Sequence, residues 1–191
     1  MSETASRKIE GQSPQAQLLQ MAMAVSASRY LHVAAQLRLA DHLADGPKSA
    51  KELAGPTGTH APSLYRFLRA LTSVGLLKED EVSRFSLTPL GEPLKTGVPG
   101  SIRAPILLMG SQLLTRAGDH LIYSIRTGKA GFEEAFGMPF FDWLASHPKS
   151  EEASLFSEVM VSYSRSGASH GGLGIRLFSL RDHSRRGRSD R

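Results

Sequence analysis

The sequence predicts a mainly α fold built on a winged helix, a helix-turn-helix with a β-wing, to which extra helices are added. Three observations predict it. Residues 59–90 read as a helix followed by two short strands. A long and a short helical segment, punctuated by glycine and proline, precede that stretch. Helical periodicity resumes over residues 101–160.

Residues 1–12 are polar and read as disordered. Ser13-Pro14 is a capping residue followed by proline at a first helical position. Residues 15–44 hold no glycine or proline and much alanine, which predicts one long helix or two with a break near Ser26–Ser28. Leu18, Met21, Ala22, Val25 and Arg29 share one face, and Tyr30, Val33, Leu37 and Ala40 another. Two such faces fit an internal core helix or a dimer interface equally. Asp45-Gly46-Pro47 ends the segment. Ser49-Ala50-Lys51-Glu52 has the pattern of a capping box, and the short helix it opens stops at Gly55-Pro56.

Thr59-His60-Ala61-Pro62 starts the central helix. Leu64, Phe67, Leu68, Leu71 and Val74 form its apolar face, and Gly75 ends it. Residues 76–78 read as a strand, Glu79-Asp80-Glu81 as a turn, and 82–87 as a second strand with Phe85 and Leu87 on one face. Thr88-Pro89 reads as the opening of another helix. The winged helix thus occupies residues 13–100. Residues 101–128 look helical and apolar, with a further helical piece at 121–126. Residues 128–137 read as a loop. An aromatic-rich helix starts at 138–144, and residues 149–160 form another, with Leu155, Phe156, Val159 and Met160 on one side. Aromatics and methionine at helical spacing are more often core than pocket lining.

Composition excludes several classes of function. There is no cysteine, hence no disulfide framework and no thiolate chemistry. The polar start lacks the apolar core of a signal peptide, and the longest apolar run, 105–109, is far too short for a bilayer span, so the expected location is cytoplasmic. The formal charge of +5 sits entirely in residues 162–191, where seven arginines face two aspartates; residues 1–161 are neutral. That argues against nucleic acid as a partner, although His60, Ser63, Arg66 and Arg69 lie where a DNA-reading winged helix would need them. The seven histidines show no His-x-x-x-His spacing, so no metal site is expected. No Ser/His/Asp motif and no glycine-rich nucleotide loop is present. Asp119-His120 reads as a surface pair. Gly167-Ala168-Ser169-His170-Gly171 matches the nucleophile-elbow pattern but lacks the flanking strand and helix. Residues 162–191 are rich in serine, glycine and arginine and read as a disordered basic tail.

Residues 14–160 resemble the N-terminal region of S-adenosylmethionine-dependent O-methyltransferases of the acetylserotonin, hydroxyneurosporene, caffeate and anthracycline type. The resemblance lies in YLHVAAQLRLADHLADGPKSAKELA, SLYRFLRALTSVGLLKED, FSLTPLGEPLK, FFDWLASHP and FSEVM. It implies a winged-helix dimerisation domain that pairs as a homodimer through its N-terminal helices and does not bind DNA. It also implies that residues 101–161 are helical linker and acceptor-pocket helices. Phe156 and Met160 match the family's F-N-x-A-M segment, with Ser157 in place of Asn and Val159 in place of Ala. Phe140 and Trp143 lie where further pocket aromatics are placed. The intact family methylates a hydroxyl of a small aromatic or polyketide-like acceptor, with S-adenosylmethionine as donor. Its cofactor domain would begin after Met160, and no such text follows, so this chain alone is expected to hold no cofactor and to be inactive. Read one nucleotide later, with suitable codons, residues 165–191 can spell text similar to the family's cofactor strand and loop. That implies a reading-frame shift near residues 161–163.

Overall fold

The computed structural model describes residues 13–166, the side chains of the last four excepted. The expectations for residues 1–12 and for the Gly-x-Ser-x-Gly text lie outside the described residues, as do all but the first two residues of the shifted frame at 165–191. Helix α1 spans Pro14–Gln36, and the Ser13 hydroxyl caps it by accepting the Ala16 amide. From Pro14 to Ser28 it carries no charged side chain. Leu18, Leu19, Met21, Met23 and Val25 are 62–71% exposed, whereas Ala34 and Ala35 near its other end are buried.

The break expected near Ser26–Ser28 falls instead after Leu37. Arg38 takes φ 51 and turns the chain into α2, Leu39–His42. The turn carries Leu39, Ala40 and Leu43 into the core. Arg38 Nε donates to the Asp41 carboxylate at 3.1 Å, and Asp41 also accepts the Thr96 amide and hydroxyl at 2.7 and 2.6 Å. Partial burial pushes the Asp41 carboxyl up. The Thr96 and Arg38 bonds outweigh this and leave it below its ordinary value.

The capping box forms as read. Ser49 Oγ accepts the Glu52 amide, and Glu52 Oε2 accepts the Ser49 amide at 2.7 Å. The Ser49 hydroxyl also donates to Glu52 Oε2 at 2.7 Å, and the two Ser49 donors, amide and hydroxyl, helped by Arg84 at 3.1 Å, hold the Glu52 carboxyl down to about 2. Helix α3, Ala50–Thr57, runs past Gly55-Pro56 and stops at Gly58, φ 62. The Thr57 hydroxyl donates to the Leu53 carbonyl at 2.7 Å, which helps close the turn that contains the proline. Helix α4, Ala61–Ser73, is capped by His60 rather than Thr59, whose hydroxyl is bonded to Thr57. Leu64, Leu68 and Leu71 are buried, as their spacing requires.

Strands β1, Lys48–Ser49, β2, Leu77–Glu79, and β3, Arg84–Leu87, form an antiparallel sheet in the order β1-β3-β2. The two-residue β1 was not foreseen. Strand β3 starts two residues later than read. Asp80 Oδ1 accepts the Val82 and Arg84 amides, Ser83 adopts φ 58, and Val82 is turned out to solvent. Thr88-Pro89 opens no α-helix. Its hydroxyl donates to the Gly75 and Leu76 carbonyls, and a single 3-10 turn, Glu92–Leu94, follows. From α2 onward the order helix, strand, helix, helix, strand, strand is that expected of a winged helix. Its core centres on Leu39, Leu53, Leu68, Leu71 and Phe85, all essentially without solvent contact.

Six helices follow: α5 Arg103–Gly110, α6 Gln112–Asp119, α7 Leu121–Thr127, α8 Gly131–Phe136, α9 Phe140–Ser146 and α10 Glu151–Ser166. Residues 101–128 are therefore three helices, interrupted at Ser111 and His120. The segment read as a loop, 128–137, contains α8. It packs on α6 because Gly131 has no side chain; a Cβ there would stand 2.9 Å from the Ala117 carbonyl oxygen. Helix α10 passes residue 161, where a disordered tail was expected, and continues to Ser166. Ala35, Ala104, Leu107, Leu108, Leu155 and Val159 form a second core joining α1, α5 and α10. Gly110 makes the α1–α5 approach possible, since a Cβ there would lie 2.1 Å from His32 Nδ1.

Candidate functional site

The residues singled out as pocket lining lie on α9 and α10. Three of them join one group of rings. Phe140 meets Phe156 edge-on, centroids 5.5 Å apart, and meets Phe132 of α8 at 5.2 Å. Phe132 stacks on Phe136 at 4.6 Å, and Phe136 meets Trp143 at 6.3 Å. Trp143 in turn lies flat on His147, 4.3 Å away. Phe132 is buried, while Phe140, Trp143 and Phe156 are half-buried. Met160, one helical turn beyond Phe156, is 37% exposed.

A local periodicity assembles this group. Phe132, Phe136 and Phe140 recur every fourth residue across two short helices, and Gly137, φ 74, lets the chain turn between them. Phe132, Phe136 and Phe141 were not singled out in the sequence, although the spacing was there to be read. Phe141, 65% exposed, and Phe156 border a groove of about 530 Å³ between α9 and α10, with Leu144, Pro148, Ser154 and Ser157 on its walls. Phe140, Trp143 and Met160 do not line that groove. The site offers apolar ring surface and a few hydroxyls, and so suits binding and orienting a flat ligand rather than proton transfer.

The remaining candidates take structural places. His60 and Arg66 both bond the Ser63 hydroxyl, at 3.1 and 3.3 Å, and Arg69 pairs with Glu79 at 3.5 Å. The would-be DNA-reading face is thus bonded to itself. Among the described residues no group of His, Asp and Glu could hold a metal ion. No described helix is long and apolar enough to cross a membrane.

Residues 19–96 match the O-methyltransferase dimerisation domain. That segment is similar to the dimerisation region of this enzyme class, and nothing in the comparisons supports a DNA-binding role. Among individual relatives, it is similar to the phenazine O-methyltransferase PhzM of Lysobacter antibioticus, 38% identical over 148 residues that make up 78% of this chain and 42% of that protein. The crystal structure of LaPhzM superposes with a TM-score of 0.75 at 37% identity, covering 81% of this chain and 46% of the other. The N,N-8-amino-8-demethyl-D-riboflavin dimethyltransferase RosA of Streptomyces davawensis gives a TM-score of 0.74 at 30% identity, covering 81% and 46%. The chain spans less than half the length of these relatives and aligns with their N-terminal part. Related O-methyltransferases have been solved with S-adenosylmethionine or S-adenosylhomocysteine bound.

Proposed function

We propose that this chain supplies the dimerisation and acceptor-binding part of an S-adenosylmethionine-dependent O-methyltransferase that acts on a hydroxyl of a small aromatic or polyketide-like molecule. The observation that carries this reading is the continuity of the matched dimerisation region with the ring group of α8, α9 and α10 in one chain. Two relatives are named for phenazine and demethylriboflavin substrates, both flat ring systems. Phe140, Trp143, Phe156 and Met160 line the acceptor side of the pocket, where they hold the ring and keep water from the reacting oxygen. In the intact enzyme S-adenosylmethionine supplies the methyl group. The setting of the reaction is the cytoplasm.

The homodimer forms through α1. A helix whose first fifteen residues carry no charge, with two leucines, two methionines and a valine on its surface, needs a partner to cover it. Met21→Glu is expected to shift the dimer toward monomer in sedimentation equilibrium, raising the dissociation constant at least about tenfold. Its far-UV circular dichroism should not change. A monomeric wild-type chain, or a variant that dimerises as tightly, would overturn this placement.

A further inference from the structure

At the rim of the ring group stands a cation that forms no ion pair among the described residues. Arg116, on α6, stands over the Phe136 ring with its guanidinium carbon 5.1 Å from the centroid. It enters none of the four ion pairs found among the described residues. Arg29, Arg84 and Arg103 each donate to a backbone carbonyl, at 3.2, 2.8 and 3.0 Å. Arg116 has no hydrogen-bonded oxygen among the described residues, and Glu133 and Glu134 of the adjacent α8 do not pair with it. A cation–π contact uses the positive charge but consumes no N–H donor, so the five donors of the guanidinium stay available to an anion. Phe136 and Trp143 are both half-buried, so part of each ring faces solvent beside that cation.

We infer that Arg116 determines acceptor specificity by holding the carboxylate of a flat aromatic acid whose rings lie against the solvent-exposed parts of Phe136 and Trp143. This rests on reading the ring group as the acceptor site. A guanidinium matches a carboxylate with two parallel N–H···O bonds, and a neighbouring ring fixes its plane.

The chain has one tryptophan, so a ¹⁵N-labelled sample gives one indole N–H resonance, that of Trp143. The probes are 1-naphthoate and its uncharged analogue 1-naphthamide, titrated into the wild type, R116Q and R116K. Naphthoate is expected to move the Trp143 resonance and to bind about tenfold more tightly than the amide, the worth of one charge-assisted pair. R116Q should lower naphthoate to the level of the amide and leave the amide unchanged, and R116K should retain only part of the preference. Equal binding of acid and amide by the wild type, or undiminished acid binding by R116Q, would overturn the role of Arg116 while the ring site stands. If neither compound moved the Trp143 resonance, the acceptor reading itself would fail and this inference with it.

Discussion

Phe85 and Phe141 are the same side chain in two kinds of surroundings. Phe85 has no solvent contact: it sits on β3, pairs with both Lys48 and Glu79 across the sheet, and meets Tyr65 edge-on at 5.8 Å. Phe141 is 65% exposed on α9. The difference extends to the regions around them. The winged helix, from Ala34 to Leu94, closes a core in which five large side chains are wholly buried. The helices after Arg103 bury one small core against α1 and leave Leu121, Ile122, Ile125 and Phe141 facing outward. A region that packs against itself is a scaffold. A region that keeps its apolar surface on the outside is shaped to meet something else.

Three substitutions test that contrast. Phe85→Ala is expected to cost about 3–5 kcal/mol in urea unfolding, because it empties a fully packed site. Phe141→Ala should stay within about 0.5 kcal/mol, since its ring faces solvent. Equal losses would erase the distinction between the two regions. Gly110→Ala tests the seam between them. Its new methyl group meets the His32 ring, so a loss of about 1–3 kcal/mol is expected, and His32→Ala in the same chain should recover most of it. Failure of that rescue would place the strain elsewhere. A further test concerns pH. The Glu52 carboxyl is held at about 2, below its ordinary 4.5, so its contribution is full above pH 4.5 and is lost as pH falls toward 2. Glu52→Gln should therefore flatten the acid side of the stability profile over that window, measured by thermal unfolding at stepped pH. An unchanged acid slope would mean that the capping box does not set it.

The winged helix was legible because its signals are local and redundant. Ser49 and Glu52 cap as a pair, Leu64, Leu68 and Leu71 fall on one face, and Gly75 takes the positive φ, 80, that its position required. What escaped reading depends on contacts distant in sequence or on a single backbone angle. Strand β1 has two residues and exists only because β3 lies beside it. The break in the first helix depends on Arg38, a residue that gives no advance sign of a left-handed turn. Helix α8 was hidden by the glycines at 128, 131 and 137. Two of these end helices, and the third makes room for the Ala117 carbonyl. In the site, Phe140 and Phe156 were named and do touch. Phe132 and Phe136 were passed over because a stretch taken for a loop has no face on which to place them.

Arg38 shows how a side chain can decide a backbone. Its φ of 51 costs most residues about 1–2 kcal/mol and would cost glycine almost nothing. Yet glycine would lose the bond to Asp41, the carboxylate that also holds Thr96 from 55 residues away. Substitution by the conformationally easier residue would relax the corner and loosen the brace that anchors it.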